Sequence, residues 1–404
     1  MTGKVLITGG AGFIGSHLAK KLVSAGVQVG ILDNFDDFYS PQAKRQNIKG
    51  LKAKLFTADI RDPEAVKTAA AEGWDAIVHL AALAGVRPSI ASPRAYIETN
   101  VTGTLNVLEA ARAARIDQVV FGSSSSVYGA SGEGPFKESS PLPATLSPYA
   151  ATKVAGEQLC SVYSHLHGIR CLVLRFFTVY GPGQRPDLAI SKFTRAILED
   201  RPIPFHGDGS SRRDYTHVSD IVAGISSALD YRKTPYEVFN LGSGRRITLA
   251  QLVKTLEQIT GKAATIERLP AQSADMPETW ADLDRAQQVL GYEPKTLLRA
   301  GLEKFVACHQ RQLLRAEGHL VQGVIHGRLA VAQGATDADV RDEPIDPPVI
   351  ELPQLDPKVA GRFLFRHQGV VGNCCALRVH AQAGPESTWW PRLQQNIKPR
   401  SGRQ

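Results

Sequence analysis

Tyr149 and Lys153 stand four residues apart in the run Ser147-Pro-Tyr-Ala-Ala-Thr-Lys153. Pro148 near the first position predicts a helix that starts here. On a helix the two side chains share one face, a turn apart. An ammonium beside a phenol stabilises the phenolate and draws its pKa down from about 10 toward neutrality. That would make the tyrosine a usable general base. Such a pair is also common on ordinary helices, so its meaning depends on what surrounds it.

A second chemical stretch lies at the start of the chain. Three β-prone residues, Val5-Leu-Ile7, run into Thr8; glycines then recur at Gly9, Gly12 and Gly15, and an amphipathic pattern begins with Phe13 and Ile14. A strand, a tight glycine turn and a helix start make a site for a pyrophosphate. The turn needs a residue without Cβ, the backbone must approach the phosphates, and the first helical N–H groups point at the anion. The context of strand and helix is what raises the glycine spacing above coincidence.

The intervening elements must bring these two stretches together. The pattern predicts a helix over Phe13 to Ala25, stopped by Gly26, and a second strand over Val27 to Leu32 that ends on Asp33-Asn34. An acid there is placed to bond both ribose hydroxyls of an adenosine and to repel a 2′-phosphate, favouring NAD over NADP. Ala53 to Ala58 reads as a third strand, running into Asp59-Ile60, with Asp59 a candidate acceptor for the adenine amino group. A fourth strand, Asp75 to Leu80, meets the small residues Ala81-Ala82, across which a ligand can lie. A long helix from Pro93 to Ala114 contains Asn100, and a fifth strand over Gln118 to Phe121 opens into the serine run Ser123 to Ser126. Leu80, Ala81, Ala82, Asn100 and Phe176 complete the cofactor-binding candidates. Strands alternating with helices predict an α/β fold, a doubly wound parallel sheet with ligands at the carboxyl ends of its strands.

The bulk numbers set limits on this reading. The chain has 404 residues, 43% hydrophobic and 21% charged, as in an ordinary globular protein of more than one unit. It lacks any run of about 18 apolar residues, and the first strand begins too early to leave room for a signal peptide. Five cysteines form neither a disulfide framework nor a metal-ligand pattern, so a cytoplasmic protein without a metal is expected. The net charge of +8 is concentrated at the end of the chain: residues 361–404 carry seven Lys/Arg against one Asp/Glu. The folded body therefore has no basic face that calls for nucleic acid.

Taken together, Thr8-Gly-Gly-Ala-Gly-Phe-Ile-Gly15, His79-Leu-Ala-Ala82, Ser123-Ser-Ser-Ser126 and Tyr149 with Lys153 resemble the extended short-chain dehydrogenase/reductase family, the NAD-dependent epimerases and dehydratases. The resemblance covers about residues 3 to 310. It implies a Rossmann-type domain over residues 1–186 and a smaller α/β nucleotide-sugar domain over 187–316, with some interleaving. It also implies a catalytic set of Ser124, Tyr149 and Lys153, NAD retained through the turnover, and a homodimer formed through segments 93–114 and 148–167.

Within that family, dehydratases carry an Asp-Glu pair where this chain has Ser125 and Ser126, and UDP-glucuronate decarboxylases carry a Glu at the position of Ser126. Neither acid is present, which favours an epimerase. The segments Arg175 to Asp187, Asp33 to Tyr39, Ala84 to Pro88 and Arg212 to His217 are similar to those of UDP-glucuronate 4-epimerases. UDP-galactose 4-epimerases usually place an Asn where Thr178 stands. A short hydroxyl suits a sugar carboxylate, held by Thr178 with the backbone around Ser125 and Ser126. Arg213, read at a loop–helix junction, together with Arg87 and Arg185, would meet the diphosphate, and Asp275 the uridine ribose. The implied activity is inversion of C4 in UDP-glucuronate. The alternatives are a 4-epimerase of UDP-glucose or a UDP-N-acetylhexosamine, and, from another class, a non-catalytic dinucleotide-binding module. The last has no use for a complete Ser-Tyr-Lys set.

Helices over Asp284 to Leu290 and Leu297 to Ala316 are expected to close the smaller domain. Residues 317–404 read as an acidic, proline-rich linker and a basic tail, poorly ordered by composition. Membrane contact by this tail stays open.

Overall fold

The structure is a computed structural model and describes residues 3–129, 134–270 and 278–311. Asp275 and the tail lie outside the described residues. Seven strands form one sheet, parallel throughout: β1 (Lys4–Thr8), β2 (Gln28–Leu32), β3 (Ala53–Phe56), β4 (Ala76–His79), β5 (Gln118–Ser124), β6 (Arg170–Phe176) and a last strand, Tyr236–Leu241. The spatial order is 3-2-1-4-5-6 with Tyr236–Leu241 outside β6. Order reverses beside β1, and the crevice at that switch point is where such sheets bind ligands.

Alternation along β1 sorts the two faces of the core. Val5 and Ile7 pack with Leu18 and Leu22 of helix Phe13–Ser24 and Ile221 and Ile225 of helix Val218–Asp230. Leu6 packs on the other face with Val107 and Leu108 of helix Gly103–Ala113 and Cys160 of helix Pro148–His167. A third apolar cluster, including Phe193, Phe205, Leu252 and Phe305, lies among helices Ala189–Leu198 and Leu249–Thr260 and the helical residues 298–311. Short strands accompany it, Ile203–His206 beside Ile266–Leu269 and Arg212–Arg213 between Ile247–Thr248 and Glu278–Thr279. Among the described residues no helix is long and apolar enough to cross a membrane.

Three elements depart most from their sequence-based limits. β5 continues to Ser124, because Gly122, Ser123 and Ser124 pair with Leu174, Arg175 and Phe176 of β6. β3 stops at Phe56, where its pairing with Leu32 ends. The helix predicted over 93–114 contains a π turn, Glu98–Thr102, between Pro93–Ile97 and Gly103–Ala113. A π turn turns one extra residue inward and is frequent at functional sites; here it carries Asn100.

Candidate active site

The glycine turn closes at the end of β1. Gly9 has φ +70°, and a Cβ there would lie 2.7 Å from the Ala81 amide nitrogen, so the turn and the end of β4 can touch only through a glycine. A Cβ on Gly15 would collide with the Gly9 carbonyl. Gly12 differs: its φ of −67° suits any residue, and a Cβ would meet the Gly9 oxygen at 3.1 Å and otherwise only Tyr39, at 3.9 Å. Gly12 is the N-cap of helix Phe13–Ser24 and offers no side-chain cap, and the first turn carries no acid. An uncapped helix start whose N-cap glycine borders the cleft is the donor set a dinucleotide pyrophosphate requires.

An open cleft of about 490 Å³ runs over this turn. Its walls include Gly9, Gly12, Phe13, Ile14, Gly15, Asp33, Asn34, Asp59, Ile60, Leu80, Ala81, Ala82, Ser124, Tyr149, Lys153, Phe176, Thr178 and Arg185. At one end the Asp33 carboxylate accepts from the amides of Ala11 (3.0 Å) and Phe35 (2.9 Å). Asp59 is gripped by Arg61 through two nitrogens (3.0 and 2.7 Å) and by Asn34 (2.9 Å), and the Arg61 bond holds its carboxyl down at about 2.

Residues 34–48 add groups to this wall that pattern reading missed. Asp33, Asn34 and Asp36 each accept the amide two residues on, a succession of Asx turns. They deliver Tyr39 and Lys44 to the cleft, where the Lys44 ammonium sits 4.6 Å from the Tyr39 ring centre. The Tyr39 hydroxyl is buried beside the Phe13 amide without completing a hydrogen bond, and burial pushes it up to about 12. The Asx spacing was visible in the sequence; the side-chain destination was not.

Asn100 does not line the cleft. Its oxygen accepts from the Leu83 amide (2.8 Å), and its nitrogen donates to the Leu83 carbonyl (2.9 Å) and the Thr152 hydroxyl (3.0 Å). It positions the segment after β4 rather than presenting an amide to a ligand. A second chain of bonds supports the same segment. The Thr104 hydroxyl donates to the Asn100 carbonyl (2.6 Å), so it accepts from His79 Nε2 (3.0 Å); His79 Nδ1 then accepts from Thr8 Oγ1 (2.7 Å). Burial holds this imidazole down at about 3.

The catalytic candidates meet on the wall formed by β5 and helix Pro148–His167. Ser147 caps that helix by accepting from the Ala150 amide, Pro148 opens it and Gly168 ends it in the left-handed region. The Tyr149 hydroxyl and Ser124 share this wall, and the Ser124 side chain is near enough to favour the ionised phenol. Lys153 Nζ donates to the Gly122 carbonyl (2.7 Å) and lies 6.0 Å from the Tyr149 ring centre. The expected depression of the phenol is not produced by the protein's own groups. Although Tyr149 keeps some exposure at the cleft, enclosure by protein dominates and raises its pKa, against the opposing influences of the Ser124 side chain and the Arg185 charge. Lys153 is buried, and desolvation draws its ammonium down to about 8.

Thr178 and Arg185 also line the cleft. The Thr178 amide is bonded to the Asp214 carbonyl (3.0 Å), and Arg185 is paired with Asp187 (2.7 Å) while lying 5.0 Å from the Phe38 ring centre. Ser125 and Ser126 stand on a 3₁₀ turn and are not part of this wall; the Ser126 amide donates to Ser124 Oγ (3.2 Å), so it is already engaged. Arg87, on helix Val86–Ala91, is exposed and away from the wall. Arg213 is on the two-residue strand Arg212–Arg213, not at a loop–helix junction, and also stands off the wall. That strand is positioned by Asp214, whose buried carboxylate accepts from Ser243, Gly244, Thr216 and Ala281.

Comparison with known proteins agrees with this geometry. The model of the NAD dependent epimerase/dehydratase family matches residues 5–242. The chain belongs to that family. A UDP-glucuronate 4-epimerase of Thermodesulfobacterium geofontis is 40% identical over 310 residues, covering 75% of this chain and 95% of that protein. Protein CapI of Staphylococcus aureus is 40% identical over 324 residues, with 75% and 97% covered. Among solved structures, the UDP-glucuronic acid 4-epimerase of Bacillus cereus in complex with UDP-glucuronic acid and NAD superposes with a TM-score of 0.73 at 35% identity, over 76% of this chain and 99% of that one. A UDP-glucose 4-epimerase of Thermotoga maritima with UDP-glucose gives 0.72 at 32%, over 77% and 99%. Members of the family use NAD, and the glycine turn, Asp33 and the uncapped helix start of this epimerase/dehydratase are suited to hold it.

Proposed function

We propose that the chain is an NAD-dependent 4-epimerase that converts UDP-glucuronate to UDP-galacturonate through a transient 4-keto sugar. The observation that carries the reading is a single cleft wall joining the glycine turn, the Ser124 and Tyr149 side chains and Thr178. Relatives and neighbours named for UDP-glucuronate support the uronate. A UDP-glucose substrate is the second reading, favoured by the Thermotoga neighbour.

Bound NAD supplies a reversible hydride acceptor, so the sugar undergoes no net redox change. Tyr149 takes the proton of the sugar 4-hydroxyl and returns it after the ketone has presented its other face. Ser124, beside the phenol on the same wall, holds the reacting oxygen. Lys153 keeps positive charge under the phenol when Tyr149 is ionised. A 4-keto uronate is a β-keto acid and loses CO₂ when its carboxylate bond aligns with the carbonyl π system. Thr178 holds the carboxylate out of that alignment, and the Arg185 guanidinium on the same wall meets the diphosphate. Ser125, Ser126, Arg87, Arg213 and Asp275 are assigned to the substrate on family resemblance.

Two helices also leave an apolar face: Ile97 and Leu105 near the π turn, Val162 and Leu166 on helix Pro148–His167. We assign this face to a homodimer; Leu166→Glu is expected to give a monomer by light scattering. The described cysteines are free thiols, in keeping with a cytoplasmic enzyme. For the activity itself, purified protein is incubated with UDP-glucuronate without added NAD and the anomeric signals are followed by NMR. UDP-galacturonate is the expected product. Conversion of UDP-glucose with none of UDP-glucuronate would refute the uronate assignment.

A further inference from the structure

Beneath the catalytic residues lies a buried charge pair that the reaction does not itself call on. Glu157 and Arg175 are 2% and 4% exposed. The guanidinium meets the carboxylate through two bonds, Nε to Oε1 at 3.0 Å and Nη2 to Oε2 at 2.7 Å. Ser123 Oγ donates to the same carboxylate at 2.5 Å, and Arg175 Nη1 donates to the Tyr128 hydroxyl at 3.0 Å. Tyr128 in turn donates to Asn240 of the outer strand at 2.7 Å.

The placement of this pair is specific. Lys153 and Glu157 are successive turns of one helix, and they bond successive residues of β5: Lys153 to the Gly122 carbonyl, Glu157 to the Ser123 hydroxyl. Ser123 is the residue opposite Arg175 in the β5–β6 pairing. The helix that carries Tyr149 is thereby keyed to the strand end that carries Ser124. We propose that Glu157 and Arg175 are a positioning pair for Lys153, in which the carboxylate keeps the ammonium charged and seated on Gly122 while the guanidinium fixes the carboxylate in place and offsets part of its pull on the ammonium.

The groups facing Lys153 make Glu157 the deciding charge. From its own helix come Tyr149, Glu157 and Cys160; from β4 comes His79; from β5 come the Gly122 carbonyl and the Phe121 ring, 5.0 Å away. From β6 and the outer strand, Arg175, Cys171 and Tyr236 act on Glu157 and Cys160. His79 is neutral, as its pKa of about 3 requires, and the Cys171 contact together with burial keeps the Cys160 thiol protonated. Burial opposes the ammonium, and Glu157 is the larger of the influences that support it. A buried ion pair is by itself weak evidence for stability; one keyed to a catalytic lysine has a use beyond stability.

The inference rests on the proposed function for its catalytic meaning, so its test reads Lys153 directly as well as turnover. In full-length protein carrying ε-¹³C-lysine, the Lys153 signal is identified by its loss in Lys153→Met and titrated with pH. Glu157→Gln leaves Arg175 unpaired, and the Lys153 midpoint is expected to fall by about one pH unit. Arg175→Gln leaves the carboxylate unopposed, and the midpoint is expected to rise by a similar amount. Arg175→Lys keeps the charge and returns it toward the wild-type value, which covers the case in which Arg175→Gln does not fold. The alkaline limb of sugar conversion is expected to move with the midpoint. Midpoints that stay within 0.2 or so of wild type (about the error of such a titration), or that move the same way in both Gln variants, would overturn the proposal. Opposite movements in a protein that converts no UDP-sugar would uphold the pair and refute the function.

Discussion

The Asn100 side-chain amide donates to the Thr152 hydroxyl at 3.0 Å, joining the π turn to the helix that carries Tyr149 and Lys153. The same amide closes two bonds on Leu83, so one buried residue spaces the end of β4 from the catalytic helix. Replacing Asn100 by Ala leaves the Leu83 N–H and carbonyl without these partners, at about 1–3 kcal/mol each. The expected outcome is a lower melting temperature with turnover reduced more than NAD content. Asn100→Asp keeps the acceptor for the Leu83 amide and loses both donors, so it is expected to fall between wild type and Ala. Melting curves and cofactor content, read together, check this order.

Tyr149 and Thr178 separate two parts of the reaction. Tyr149→Phe removes the proton acceptor and is expected to lower turnover by about 10²–10⁴-fold while the purified protein still carries NAD. Thr178→Ala removes a hydroxyl from a charged carboxylate, a bond worth about 1.5–3 kcal/mol. It is expected to weaken UDP-glucuronate binding by about 10–100-fold and to release a UDP-pentose. Chromatography of the nucleotide products tests both variants in one assay.

The buried imidazole of His79 gives stability a pH dependence of defined sign. Its folded pKa, about 3, lies below the ordinary value of 6.5. Between those limits the unfolded chain binds the extra proton, so the contribution is whole above 6.5 and is lost as pH falls toward 3. His217, drawn down to about 4 by burial, adds in the same direction. Asp33 and Asp214, raised by burial, act oppositely, so the total slope is not diagnostic. The difference between wild type and His79→Gln is: urea unfolding at pH 7 and pH 4.5 is expected to show a smaller acid loss in the variant, even where its stability at pH 7 is lower.

Much of this site was legible before any coordinates. The glycine turn, Asp33, Tyr149 and Lys153 depend on local spacing, and β1, β2 and helix Asp284–Leu290 depend on periodicity and breakers, all of which the chain displays directly. The residues read less well are those whose partners are distant. Asn100 resembles a ligand in sequence because nothing local indicates that Leu83 and Thr152 consume its amide. Ser126 shares its stretch with Ser124, yet β5 extends through Ser124 and a 3₁₀ turn carries Ser126 off the cleft wall. The spacing of Tyr149 and Lys153 displays an ammonium one turn from the phenol, but not the enclosure by distant segments that raises the phenol's pKa.

Gly12 and Gly15 make the final contrast, because they fail for different reasons. A Cβ at Gly15 runs into the Gly9 carbonyl, backbone against backbone, so Gly15→Ala is expected to cost about 1–3 kcal/mol and to lower the melting temperature. A Cβ at Gly12 meets the Gly9 oxygen at 3.1 Å, a contact that a small shift relieves, and its backbone angles already suit alanine. Its methyl group would instead project into the cleft in front of the uncapped helix start. Gly12→Ala is therefore expected to melt within about 1 kcal/mol of wild type when both are stripped of cofactor, yet to purify with little NAD. The measurement is absorbance of the heat-released nucleotide against protein concentration, beside calorimetry of the stripped proteins. A Gly12→Ala protein that keeps its full NAD would show that the pyrophosphate does not approach the turn at this point, and the assignment of the helix start as its donor set would fall.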